Sequence, residues 1–135
     1  MQKDLHHNID DRVALNPQAI STNTTTAGAI IDTSGYESIE FLTYTKAVTD
    51  GTYTVKLEEG DDAALSDAAV IASDYVLGTL PALVAADDNA VARVGCLPTK
   101  RYVRLSLVST GVTTGVDIAG ALAVLGNPAN APVAQ

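Results

Sequence analysis

The sequence predicts an all-β domain, an antiparallel β-sandwich or jelly roll of about eight strands with short N- and C-terminal tails. Two observations predict it. Apolar and polar residues alternate with a period of two in several runs rich in β-branched and aromatic side chains. Turn-forming Gly, Pro, Asn and Asp separate these runs at short intervals. No internal repeat recurs at a fixed period.

Residues 1–11 are polar and carry both histidines, and read as an arm outside the core. The sandwich is expected over 12–126 and a second tail over 127–135. In 12–21, Val13, Leu15 and Ile20 flank Pro17, the pattern of an interrupted edge strand. Residues 22–26 read as a loop and 27–33 as a strand. The clearest signal follows, from Gly35 to Asp62. Ile39, Phe41, Thr43 and Thr45 share one face of the first run; Tyr53, Val55 and Leu57 share one face of the second. Asp50-Gly51 between them predicts a β-hairpin, because Gly supplies positive φ without steric cost.

Beyond an acidic turn at 59–62, Leu65, Ala68, Ala69, Ala72 and Val76 fit a helical period that Gly78 and Pro81 cut short. A short helix or wrapped loop is expected over 63–86, with a brief strand at 80–84. Residues 91–97 alternate. In 101–109, Val103, Leu105 and Leu107 are expected inward. Residues 116–125 are continuously apolar after Asp117, as in a central strand covered on both faces.

Composition narrows the function. The net charge is −8, which argues against nucleic acid and against an anionic membrane surface as partner. One cysteine, Cys96, leaves no intrachain disulfide framework and no cysteine-based zinc site. No apolar run approaches the ~20 residues of a membrane span. The first eleven residues lack the apolar core of a signal peptide. Apolar content is mostly Ala and Val, with one Phe and no Trp. Such a core suits tight sheet-on-sheet packing better than a wide ligand cavity.

Four clusters merit chemical scrutiny. Glu58, Glu59, Asp61 and Asp62 surround Gly60, but their spacing does not match a calcium loop, and a solvated turn is the simpler reading. His6 and His7 lack a third ligand at sensible spacing. Cys96 has no histidine except in the arm, so a buried small apolar side chain is the simpler reading. No catalytic residue, metal ligand or cofactor site is expected. Arg93, Lys100, Arg101 and Arg104 place half of the eight basic residues within twelve positions. They make either a local basic patch for an acidic protein surface or separate strand-face charges paired across the sheet. With Lys3 and Arg12 they are the candidate protein contacts.

The order of segments resembles small head-associated proteins of tailed bacteriophages that act as capsid cement or decoration proteins. The residues that carry the resemblance are Gly35-Tyr36-Glu37-Ser38, the stretch Thr49 to Asp62, Arg93-Val94-Gly95, Thr99 to Arg104, and Gly126-Asn127-Pro128. The likeness covers roughly Val13 to Val133, and 63–83 is longer than in that pattern. The resemblance implies a jelly-roll virion protein on the capsid exterior, made in the host cytoplasm, that bridges neighbouring major capsid proteins. It implies a homodimer or homotrimer at a lattice axis, and no enzymatic activity. Polar tails that order on a partner would suit this role. The alternative is a carbohydrate- or receptor-binding module, for which Tyr36, Tyr44, Tyr75 and Tyr102 are the aromatic candidates.

Overall fold

A computed structural model of the chain describes residues 3–130, 132 and 133. Positions 1 and 2 of the expected arm, and 131, 134 and 135 of the expected tail, lie outside the described residues. The alternating runs become strands of two antiparallel sheets packed as a β-sandwich. In chain order these are β1 (Ile9–Leu15), β2 (Gln18–Ile20), β3 (Thr25–Asp32), β4 (Tyr36–Val48), β5 (Thr52–Gly60), β6 (Ala69–Val70), β7 (Val76–Leu77), β8 (Ala82–Leu83), β9 (Val91–Cys96), β10 (Tyr102–Thr110) and β11 (Val116–Pro128). The first sheet has the order β1-β11-β4-β9-β7, with β2 also paired to β11; the second has the order β3-β10-β5-β6, with β8 also paired to β5. The long strands alternate between sheets along the chain, so their partners are distant in sequence.

The break at Pro17 leaves β1 and β2 as two pieces of one edge, both paired to β11. The first strand begins at Ile9, which pairs with Gly126, so it reaches into the segment read as an arm. A short helical turn, His6–Asn8, precedes it.

The expected hairpin at Asp50-Gly51 does not form. β4 lies in the first sheet between β11 and β9, whereas β5 lies in the second between β10 and the short strands β6 and β8. The turn therefore carries the chain across the sandwich. A turn signal fixes a local chain reversal; it does not fix whether the next strand continues in the same sheet. Crossing lets the apolar faces of both strands meet in the core. Ile39, Phe41, Thr43 and Thr45 from β4, and Tyr53, Val55 and Leu57 from β5, are all at most 4% exposed. Full burial of the single Phe41 contributes about 1.5–3 kcal/mol relative to leaving it exposed. Val103, Leu105 and Leu107 complete the core from β10, and Ile118, Ala121, Ala123 and Leu125 from β11.

The segment between β5 and β9 forms no α-helix. Leu65 takes a positive φ of 52°, which no right-handed helix accommodates. Its apolar residues instead close the free edge of β5. The Ile71 N–H donates to the Leu57 carbonyl at 3.0 Å, and the Val55 N–H donates to the Pro81 carbonyl at 2.9 Å. Ile71 and Leu83 are buried there. An edge that would otherwise expose unpaired backbone outweighs the modest helix propensity of an alanine-rich stretch.

Candidate functional site

Strand β11 is central in its sheet but not covered on both faces. Ala121, Ala123 and Leu125 turn into the core, while Leu122 between them is 44% exposed. The register shows what surrounds it. Val13 of β1 stands opposite Leu122, Leu122 opposite Leu42 of β4, and Leu42 opposite Arg93 of β9. One step along, Gly120 stands opposite Tyr44, and Tyr44 opposite Val91. These side chains make an apolar band across the outer face of the first sheet. A hollow of about 430 Å³ lies over it, lined by Val13, Leu15, Pro17, Leu42, Tyr44 and Val91 among others.

The band is broad. Val13, Tyr44, Val91 and Leu122 are between 43% and 61% exposed, and Leu77 and Leu97 extend the outward-facing apolar side chains toward β7. Six of the eleven exposed large hydrophobic residues among those described belong to this face. The outer face of the second sheet is different: Arg104 on β10 faces Glu58 on β5, with Lys56 beside it. A contiguous exposed apolar patch on one side only marks a surface that another body covers.

The six basic candidates do not form one patch. Lys3 is exposed in the arm. Arg12 lies at the β1 edge, where its guanidinium donates to Asp10 at 3.0 and 3.1 Å and to the Asp32 carbonyl at 2.7 Å. Lys100 pairs with Asp61 at 3.0 Å. Arg101 grips Asp32 through two bonds of 2.9 and 2.8 Å. Arg104 pairs with Glu58 at 3.2 Å on the second sheet. Arg93 alone of the four clustered in sequence stands on the apolar face. The local basic patch is thus corrected to separate charges: successive strands alternate sheets, so Arg93 on β9 and Arg104 on β10 point out of opposite faces. The cross-strand pairing of Arg104 with Glu58 within the second sheet matches the strand-face reading.

The other clusters are engaged in local structure. Asp62 accepts N–H bonds from Ala64 and Ser66 and the Ser66 hydroxyl, and Asp67 accepts those of Asp61 and Asp62. The Glu59 carboxylate holds the Thr99 N–H at 2.8 Å and its hydroxyl at 2.9 Å. His7 pairs with Asp4 at 2.6 Å. Cys96 is fully buried, and burial pushes its thiol up to about 12, helped by the carboxylates of Glu59 and Glu40. A thiol so placed is protonated at neutral pH and inert as a nucleophile. No group of three or more metal-ligating side chains converges among the described residues.

Of the four candidate tyrosines, Tyr36 and Tyr102 are partly capped by guanidinium groups, Arg12 at 5.9 Å and Arg101 at 5.1 Å from the ring centres. Tyr75 is exposed in the segment before β7, and Tyr44 is on the apolar face. Among the described residues, no polar side chain other than the Tyr44 phenol lines the hollow beside Tyr44.

Sequence reasoning did not single out Val13, Leu42, Val91 and Leu122. The signal was the continuous apolar run after Asp117 in 116–125, which implies a second covered face; the cover is not supplied by the described residues. Compared with protein-family models, curated proteins and solved structures, the chain matches none.

Proposed function

We propose that this chain is a structural virion protein that binds the outside of a tailed-phage capsid and bridges neighbouring major capsid proteins. The observation that carries the reading is the one-sided apolar band around Leu122, a surface suited to burial in an assembly. The resemblance in segment order supplies the kind of assembly. The strand order lends support to a jelly-roll reading. With β1 and β2 counted as one interrupted strand, and β6 and β8 as another, each sheet holds four strands, β7 being an addition. A jelly roll divides eight strands between two sheets in this way.

The termini add a second reason. The Val133 N–H donates to the His7 carbonyl at 2.8 Å, so arm and tail meet at the edge of the first sheet. Both are then placed to reach one neighbouring subunit. The carbohydrate reading has weaker support, since the hollow at Tyr44 offers a sugar almost no hydrogen-bonding partners.

The test is to add the purified protein to shells lacking it, then measure copies bound and resistance to heat. Saturable binding with raised heat resistance is expected. Absence of binding at micromolar concentration overturns the proposal.

A further inference from the structure

We propose that the outer face of the first sheet is the two-fold interface of a homodimer, in which Arg93 of each copy meets Asp11 of the other. The proposal rests on the reading of this face as a covered surface, and not on the identity of the shell.

The face is self-complementary. Across it run the columns β1, β11, β4 and β9. The two middle columns carry Leu122 and Leu42, directly opposite each other. The outer columns carry opposite charges: Asp11 on β1, opposite Val124, and Arg93 on β9, opposite Leu42. Neither Asp11 nor Arg93 has an ion-pair partner among the described residues. A two-fold axis lying in the face, roughly along the strands and between β11 and β4, superposes these features. It lays the β9 edge of one copy on the β1 edge of the other. Leu122 then meets Leu42 of the second copy, and Arg93, seated over Val13, reaches diagonally to Asp11 two residues along the same strand, each twice, as an isologous contact requires. Sheets packed face to face cross at about 30°, which accommodates the offset of the two charges along their strands.

The area is of the right order. Four strand columns ~4.8 Å apart, over about eight residues of ~3.3 Å rise, give a footprint on the order of 500 Å² in projection. The accessible surface of such a corrugated face is larger, and approaches the ~800 Å² per partner of a standard stable interface. The Arg93 and Asp11 pairs set register and also exclude a parallel, side-matched arrangement that would juxtapose like charges.

The experiment is sedimentation equilibrium on the full chain and its variants, with no shell present, so it can fail while capsid binding stands, or the reverse. The parent chain is expected at twice its 13.9 kDa mass at high micromolar concentration. A monomer there overturns the proposal. Leu122→Glu should raise the dimer dissociation constant at least ~30-fold, as loss of a central anchor does, with the melting temperature of the monomer preserved because Leu122 is half exposed. An unchanged dimer in that variant overturns the proposal. Arg93→Glu and Asp11→Arg should each weaken self-association alone, and their equimolar mixture should restore a dimer containing one chain of each. Failure of the mixture to dimerise more tightly than either variant overturns the two-fold pairing. This mixing arm also decides the matter should Leu122→Glu fail to fold.

Discussion

The Asp50 carboxylate accepts the backbone N–H of Thr114, 64 positions further along the chain, at 2.9 Å. It also accepts those of Gly115 at 2.9 Å and Thr113 at 3.2 Å. The turn that carries the chain from β4 to β5 is therefore also the anchor of the loop from β10 to β11. Both connections lie at one end of the sandwich, and both cross between sheets. Asp50→Ala is expected to increase amide exchange at Thr113, Thr114 and Gly115 by about tenfold or more, because local opening then lacks its anchor. Hydrogen exchange followed by NMR measures this. Exchange rates unchanged at those amides would show that the loop holds itself.

The Ser109 side chain fastens another crossing. Its hydroxyl lies 2.8 Å from the carbonyls of Thr22 and Thr24 and accepts the Thr24 N–H at 2.9 Å, and the residue is 3% exposed. Ser109→Ala leaves these groups without that partner. It should cost about 1–3 kcal/mol in urea unfolding.

Gly28 marks where β3 approaches both β1 and β10. A methyl group there would run into the carbonyl oxygens of Ala14 and Leu105. Gly28→Val is expected to destabilise by about 3 kcal/mol or more, since the added side chain meets backbone of two packed strands and not the end of a flexible side chain. Gly35, at φ +92° with open space around it, gives the contrast. Gly35→Ala should lower stability only by about 1 kcal/mol, the cost of a strained backbone without a clash. Thermal melts of the two variants separate the effects.

Acid should loosen the end of the second sheet where β3 meets β10. The Arg101 fork holds the Asp32 carboxyl at about 2, with the Ser34 N–H adding, and burial opposes this less strongly. The pKa of an unfolded Asp is about 3.9, so between about pH 4 and pH 2 the unfolded chain binds more protons. The stabilisation is complete above that window and is lost as pH falls through it. Asp32→Asn should therefore melt at lower temperature than the parent near neutrality, and its loss of stability over the window should be smaller. Parallel acid titrations of thermal stability check both statements.

Much of the fold was legible in the sequence for a simple reason. Period-two alternation reports which face of a strand is buried, whatever sheet it joins. Ile39, Phe41, Thr43 and Thr45 share one face of their run, Tyr53, Val55 and Leu57 share one face of theirs, Val103, Leu105 and Leu107 are expected inward, and all of these are buried. What alternation cannot report is pairing. β4 pairs with β11 from Val48 opposite Val116 to Tyr36 opposite Pro128, and nothing local to Asp50-Gly51 encodes that. The alanine-rich stretch after Gly60 left a short helix and a wrapped loop open for a related reason, and it is the loop that forms. Its apolar residues follow the edge of β5 that they cover, not a helical period. The charges left both a patch and separate strand-face charges open. Four basic residues within twelve positions suggest a patch, yet the chain changes sheets between Arg93 and Arg104 and sends them to opposite faces. The apolar face itself was half visible, as a run at 116–125 with more hydrophobic residues than one core side needs.

The most direct test of that face is thiol labelling. Cys96 is fully buried and its thiol stays protonated, so it gives almost no background. A reporter Leu122→Cys should react with a maleimide several-fold more slowly at about 100 µM protein than at about 1 µM, up to the ~10-fold limit that a monomer–dimer equilibrium allows over that range, if association covers the face. Ile30→Cys, on the outer side of the second sheet, should label at the same rate throughout. Slowing confined to Leu122→Cys is the expected result. Equal rates at Leu122→Cys across the concentration range would contradict the claim that this sheet face is built to be covered by a second copy.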